Sequence, residues 1–426
     1  MKRLILLLLI FSCASIFAQD TYIHCGKLFN SETAKIETEK TIVVKGDKID
    51  AVLQGYAQPK NADAIIINLK DKTVLPGLID MHVHIESETG ANKYLEPFVL
   101  NEADVAYNAQ EIAQRTLMAG FTTVRDLGGT GVNVSLRNAI NQGKVQGPRI
   151  LTAEKALGTT GGHADPTNGR NKELIGDPGP KEGVVNGVRD ARKAVRQRYK
   201  NGADWIKITA TGGVLSVAKS SKNPQFTDEE IAEICNTAAD YGMKVAAHAH
   251  GDKGMQRAIN NGVKTIEHGT LMSDETMDIM KEKKSFLVPT ISAGKYVSEK
   301  AKIKDYYPAI IVPKALEIGP KIQDMFGRAY KRGVPIAFGT DAGVFPHGEN
   351  AKEFMYMVEA GMPEHIALQT ATFINAEVLE MPSQIGQLKK GAFADIIAVN
   401  EDPTKTITAM QNVSFVMKGG TVYKKE

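Results

Sequence analysis

Between residues 78 and 340, short apolar runs alternate with longer amphipathic stretches, and this alternation limits the fold more than any other feature of the chain. The runs are Leu78 to Ile85, Thr122 to Asp126, Arg149 to Ala153, Trp205 to Ala210, Lys244 to Ala249, Thr265 to His268, Phe286 to Thr290 and Pro335 to Thr340. Strands separated by helices pair in parallel, because each crossover helix returns the chain to the same end of the sheet. The helical period is clear from Asp228 to Tyr241. There Ile231, Ile234, Cys235 and Ala238 fall at i, i+3, i+4 and i+7, behind the capping sequence Thr227-Asp228-Glu229-Glu230. Eight such units predict an α/β fold, a (β/α)8 TIM-type barrel with its chemistry at the C-terminal ends of the strands.

The flanks read differently. From Tyr22 to Val74 the chain is a series of β-like runs, such as Thr41-Ile42-Val43-Val44 and Ala64-Ile65-Ile66-Ile67. Similar runs return in Ala394-Asp395-Ile396-Ile397-Ala398-Val399 and from Val413 to Gly420. The two ends are expected to form one small β-sandwich, from residues 19–74 and 385–426, around a barrel of residues 75–384. Before them, Lys2 and Arg3 precede an apolar run from Leu4 to Phe11 and a small-residue stretch ending in Ala18-Gln19. That is the pattern of a signal peptide, residues 1–18, cleaved after Ala18. The run is shorter than the ~20 apolar residues a bilayer needs, so no transmembrane span is expected in the mature chain. An exported bacterial protein, periplasmic or secreted, is the expectation. Ile10-Phe11-Ser12-Cys13 loosely resembles a lipoprotein box, but bulky Phe11 makes lipid anchoring the minor alternative.

Loss of Lys2 and Arg3 takes the formal charge from +3 to +1, which argues against a nucleic-acid footprint. The expected partner is a small molecule or peptide, and the expected state a homo-oligomer. Cys25 and Cys235, left after cleavage, lack metal-ligand spacing and fall on a strand and a helix, so their pairing is open but not the preferred reading.

Histidine placement points to chemistry. Of nine histidines, seven (82, 84, 163, 248, 250, 268 and 347) end or follow a predicted strand. His82 and His84 are two apart on a strand and face the same way, with Asp80 below them. His248 and His250 repeat that spacing on the fifth strand, His268 ends the sixth and Asp341 ends the eighth. A single such histidine reads more readily as a hydrogen-bonded core residue. Several converging on one barrel mouth with a carboxylate point to metal coordination.

Lys207 sits in Trp205-Ile206-Lys207-Ile208-Thr209, where the odd positions point into the barrel. A buried ammonium needs a partner or must lose its charge. Carboxylation of the amine by CO2 converts it into an anionic carbamate able to bridge two metals; pairing with a nearby carboxylate is the structural alternative.

Taken together, His82-Val83-His84, Lys207, His248, His268 and Asp341 resemble the ligand set of the binuclear amidohydrolase superfamily. The resemblance extends to Leu75-Pro76-Gly77-Leu78-Ile79-Asp80 and Gly391-Ala392-Phe393-Ala394-Asp395-Ile396. Lys207-Ile208-Thr209-Ala210-Thr211-Gly212-Gly213, Ala247-His248-Ala249-His250-Gly251, Ile266-Glu267-His268-Gly269-Thr270 and Gly339-Thr340-Asp341-Ala342-Gly343 are similar to the Xaa-Pro dipeptidase (prolidase-like) branch, which includes ochratoxin amidases. The resemblance implies two divalent ions, zinc by expectation. His82, His84 and Asp341 would hold one, His248 and His268 the other, with N6-carboxylated Lys207 and a hydroxide between them. It prefers His248 over His250; spacing alone leaves the two open. It further implies amide hydrolysis by that hydroxide, with Asp341 moving the proton and His163 or His250 polarising the substrate carbonyl.

Arg125 and His347 are further candidates for substrate contact, and Arg125 reads equally as a structural pair with a neighbouring carboxylate. After Gly213-Val214-Leu215-Ser216 the chain departs from the expected pattern, and Lys219 and Lys222 are candidates for a substrate carboxylate there. The implied substrate is a dipeptide of Xaa-Pro type or an N-acyl amino acid. A cyclic amide, lactone or phosphotriester would use the same metals. A non-catalytic barrel scaffold is the alternative of another class; the filled ligand positions speak against it.

Overall fold

The structure, a computed structural model, describes residues 19–90 and 93–426. The expected leader, residues 1–18, lies outside the described residues. At the N-terminal end come β1 (Thr21–Asn30), β2 (Lys35–Lys45), β3 (Lys48–Gln54) and β4 (Ile65–Pro76). The barrel strands follow: β5 (Leu78–Val83), β6 (Phe121–Asp126), β7 (Arg149–Thr152), β8 (Trp205–Thr209), β9 (Lys244–Ala249), β10 (Thr265–His268) and β11 (Phe286–Val288). The chain ends in β12 (Ile396–Val399), β13 (Val413–Lys418) and β14 (Thr421–Lys425).

Two parallel arcs, β5-β6-β7 and β8-β9-β10-β11, make up most of the barrel. One seam between them closes through Leu157: its N–H donates to Lys207 O (2.7 Å), and its carbonyl accepts from Thr209 N–H (3.0 Å). The other closes through segment 335–342, the expected eighth strand. Ala337 N–H donates to Leu287 O (2.9 Å) on one side, and Met81 N–H to Phe338 O (3.0 Å) and Asp341 N–H to His82 O (2.7 Å) bond it to β5 on the other. This segment is a line of bridges and not a regular strand. Pro335 brings no N–H, and Asp341 turns out of the ladder at φ +60°.

Buried side chains clasp that irregular seam. Asp80 Oδ1 accepts from the backbone N–H groups of His82 (3.0 Å) and Thr340 (3.1 Å), while Oδ2 accepts from Thr340 Oγ1 (2.7 Å) and Asn350 Nδ2 (2.9 Å). Asn375 Nδ2 donates to both Ile79 O and Phe338 O. These groups set β5, with its histidines, against the segment that carries Asp341.

Helices form the outer ring. The helix Asp228–Asp240 begins one residue after Thr227, whose side chain accepts from Glu230 N–H while the Glu230 carboxylate takes the Thr227 N–H. Its apolar stripe, Ile231, Ile234 and Ala238, packs into the main core with Ile206 and Ile208 of β8. Among the described residues no helix is long and apolar enough to cross a membrane.

The chain ends join in one seven-stranded sheet, in the order β14-β13-β12-β4-β1-β2-β3. It folds over its own core of Ile23, Cys25, Ile42, Ile67, Ile396 and Phe415. Its far edge returns to the segment before β12, where Ile49 N–H donates to Ala392 O (2.9 Å). Cys25 and Cys235 are both free thiols. Arg149 at the start of β7 bonds Asp395 (2.7 Å), tying the sheet to the N-terminal end of the barrel.

Candidate active site

A cavity of about 300 Å³ opens at the C-terminal end of the barrel strands. It is lined by His82, His84, His163, His248, His250, His268, Lys207 and Asp341, with an apolar outer wall that includes Val214, Leu215, Val297 and Ile318. Six of the seven histidines singled out in the sequence therefore meet in one place. Their rings stand close: 5.2 Å between centroids for His82 and His268, 4.7 Å for His248 and His268, and 4.4 Å for His163 and His248.

Period-2 alternation does not by itself bring His268 here. Ile266 belongs to the outer core and Glu267 points inward to Arg125, so a regular strand would turn His268 outward. The backbone at His268 is left-handed, φ +71°, and this turns the ring back into the mouth. Thr290 (φ +53°) and Asp341 (φ +60°) end their barrel segments in the same way. Such a conformation costs an L-residue about 1–2 kcal/mol, and clusters of it mark functional sites.

Each imidazole's free nitrogen follows from what its other nitrogen bonds. His84 Nδ1 lies 2.8 Å from Gly128 O, an acceptor only, so Nδ1 carries the proton and Nε2 is bare. His82 Nδ1 lies 2.9 Å from Glu267 Oε2, which likewise leaves Nε2 bare. This approach is not well aligned for a hydrogen bond, and neither atom has another partner, so attraction to the carboxylate carries the assignment. His268 Nδ1 meets Thr290 Oγ1 (2.7 Å) and His250 Nδ1 meets Thr270 Oγ1 (2.9 Å). His248 is the reverse: Nε2 meets Gly212 O (3.1 Å), leaving Nδ1 bare.

Bare nitrogens converge on a carboxylate. Asp341 Oδ1 lies 3.4 Å from Nε2 of both His82 and His84, and it is buried without a hydrogen-bond partner. Ligand atoms of His82, His268 and Asp341 all fall within 4.8 Å of one another. Acceptor atoms outnumber donors in this cluster, and a cation at its centre would complement them. Burial holds all these imidazoles neutral, the form that ligates metal: His84 falls to about 4, His163 and His250 to about 3, and His82, His248 and His268 lie well below the usual histidine range. Burial also lowers the Lys207 ammonium and raises the Asp341 carboxyl. Lys207 Nζ sits 3.4 Å from His82 Nε2, inside the cluster.

Two expected substrate contacts lie elsewhere. Arg125 is not at the mouth: it is fully buried inside the barrel, with Nε on Met81 O (2.7 Å), Nη2 on Glu267 Oε1 (2.9 Å) and its plane over Trp205. Its inward position on β6 draws it to Glu267. His347 is buried away from the cavity, its Nδ1 on Thr116 Oγ1 (2.8 Å) and Nε2 on His84 O (3.2 Å), where it pins a helix to the end of β5. Lys222 is at the surface, paired with Glu317, and Lys219 is exposed. The sequence reading missed Glu267, Thr270 and Thr290, which orient the histidines, although Glu267 stands next to His268 in the quoted motif.

Comparison with known proteins agrees with this architecture. The amidohydrolase family model matches residues 73–423. The chain is 30% identical to ochratoxinase of Aspergillus niger over 438 residues, covering 96% of this chain and 87% of that protein. Among solved structures it is similar to a Xaa-Pro dipeptidase with methionine bound in the active site, at 50% identity and TM-score 0.93, covering 95% of this chain and 100% of that one. It is also similar to a prolidase complexed with N-methylphosphonate-L-proline, at 31% identity and TM-score 0.87, covering 96% and 100%. The chain belongs to the amidohydrolase family.

Proposed function

We propose that this amidohydrolase cleaves the amide bond next to a C-terminal carboxylate, in a dipeptide of Xaa-Pro type or an N-acyl amino acid. The observation that carries the proposal is the convergence of neutral imidazoles on the unpartnered Asp341 carboxylate beside buried Lys207. The similarity to a dipeptidase, a prolidase and an ochratoxinase supports the choice of bond.

The cluster fits a divalent cation, and the proposed complement is two, zinc by preference. His82, His84 and Asp341 would hold one through Nε2 and carboxylate oxygen; His248 through Nδ1 and His268 through Nε2 would hold the other. Each of His248 and His250 keeps one nitrogen free, so the choice of His248 rests on the family resemblance. When bound, such ions supply a water-derived nucleophile at neutral pH and polarise the scissile carbonyl. Lys207 would lie between them as a carbamate, its neutral amine adding to CO2 and shedding one proton. That converts a buried cation beside two metals into an anion.

The remaining steps belong to the chain's own side chains. Asp341 takes the proton of the attacking water and delivers it to the leaving nitrogen. His163 and His250 face the cavity and steady the carbonyl oxygen as charge develops. The apolar wall excludes bulk water, which strengthens each of these interactions.

Lys207→Ala is the direct test. Metal content should fall from two ions per chain to one or fewer, with loss of dipeptide hydrolysis. Two retained ions and full activity would refute the role of Lys207. Equal turnover of dipeptides and their C-terminal amides would refute the substrate class.

A further inference from the structure

A second cavity of about 470 Å³ continues outward from the first and shares His84, His163, Leu215 and Val344 with it. It contains two orphaned groups. The Tyr307 hydroxyl and His163 Nδ1 are both buried without a hydrogen-bond partner, and both residues line this cavity. Tyr307 comes from the segment between helices Ile291–Lys300 and Val312–Ile318, and packs in one cluster with Val297 and Ala315 against Leu215 and Val344. It is 5% exposed. Buried donors are almost always satisfied, so an unmet phenol beside a cavity points to a ligand atom as its partner.

The chemistry of that atom follows from the neighbours. Arg170 lines the same cavity, and among the described residues no carboxylate pairs with it; its guanidinium lies over the Phe98 ring at 5.4 Å. The acidic groups of this cavity are already occupied. Glu86 accepts from Thr130 and Asn133 N–H (both 2.6 Å), and Asp165 from Gly161 and Thr167 N–H. The unmatched groups bordering the space are the Tyr307 hydroxyl, His163 Nδ1 and the permanent cation of Arg170. A group that only accepts and carries negative charge complements the hydroxyl and the cation.

We infer that Tyr307 and Arg170 form the subsite for the substrate's carboxylate, with the Tyr307 hydroxyl as the positioning donor. The subsite rests on the proposed reaction only for its setting, because free amino acids should bind it without turnover. It also supplies what the strand-four loop lacks, since Lys219 and Lys222 both point to solvent or to Glu317.

The test uses the metal-loaded full chain, with L-methionine and L-proline as probes in titration calorimetry and with Met-Pro and its C-terminal amide as substrates. In Tyr307→Phe the Kd for the free amino acids should rise about tenfold or more, the cost of a lost hydrogen bond to a charged group. The preference for Met-Pro over its amide should fall by a similar factor, through KM more than kcat. The thermal midpoint should not fall, because the hydroxyl makes no bond in the free protein. Arg170→Gln should weaken amino-acid binding likewise. An unchanged Kd in Tyr307→Phe, or no amino-acid binding by the unmodified protein, overturns the assignment. An unchanged Kd in Arg170→Gln removes Arg170 from it. If Met-Pro is not hydrolysed yet amino acids bind in a Tyr307-dependent way, the proposed reaction falls and the subsite stands.

Discussion

Glu267 connects Arg125 to His82 across the barrel interior, and none of the three side chains is more than 1% exposed. One carboxylate oxygen meets Arg125 Nη2 (2.9 Å) and the Thr265 hydroxyl; the other lies 2.9 Å from His82 Nδ1. Carboxylates placed behind ligating histidines fix ring orientation, and losing one typically weakens metal binding about 10–100-fold. Glu267→Gln should show a drop of that order in chelator competition. It should also destabilise the fold by about 3–5 kcal/mol, since a buried guanidinium is left unpaired. Arg125→Met in the same chain should recover the stability but not the metal affinity; recovery of both would make Glu267 merely the counter-charge of Arg125. The convergence of the histidines, Lys207 and Asp341 on one cavity was legible in the sequence because strand ends are where a barrel displays its chemistry. Glu267 was not. Alternation admits only one of two adjacent residues to the interior, and the left-handed turn at His268 that admits both leaves no compositional trace. His347 was misplaced for the opposite reason, and Arg125 takes the structural pairing that stood beside its substrate role: polar residues near strand ends also serve as internal struts.

At the scale of elements, the seam between β5 and segment 335–342 depends on side chains where backbone pairing is sparse. Asp80→Ala strips the acceptor from four buried hydrogen bonds. Each unmet buried donor costs roughly 1–3 kcal/mol, so denaturant unfolding should show a loss of several kcal/mol. Metal affinity should drop with it, because Asp341 and His82 lose their common anchor. A loss under 1 kcal/mol would mean that Asn375 alone holds the seam. By contrast, Thr227→Ala should cost only about 1 kcal/mol, the usual value of an N-cap, and leave metal binding intact. The helix behind Thr227 was predicted within one residue of its end, since cap and stripe are local signals. The eighth strand was predicted as regular but is a set of bridges, because a neighbour's hydrogen bonds are not visible in the segment's own residues.

For the molecule as a whole, a metal that binds only the folded state adds stability by mass action, about 4 kcal/mol at a thousandfold excess over Kd. Removing it with a chelator should lower the thermal midpoint and abolish hydrolysis, and zinc should restore both. An unchanged midpoint would mean that the cluster binds no ion tightly. The α/β barrel was legible from the alternation of runs and the joining of the chain ends from their two β-rich texts, but the order of the seven strands was not.

That union sets an order on synthesis. β4 pairs with β1 on one side and with β12 on the other, and β12 leaves the ribosome only after the entire barrel. Until then β4 carries an open edge along Thr73, Val74, Leu75 and Pro76, the residues that later pair with β12. An apolar edge kept waiting is an invitation to pair with another chain. Chains stopped short of Ile396 should therefore aggregate through β4 even where their barrels are whole, and the final thirty or so residues act as the molecule's own stopper for a strand made at its beginning.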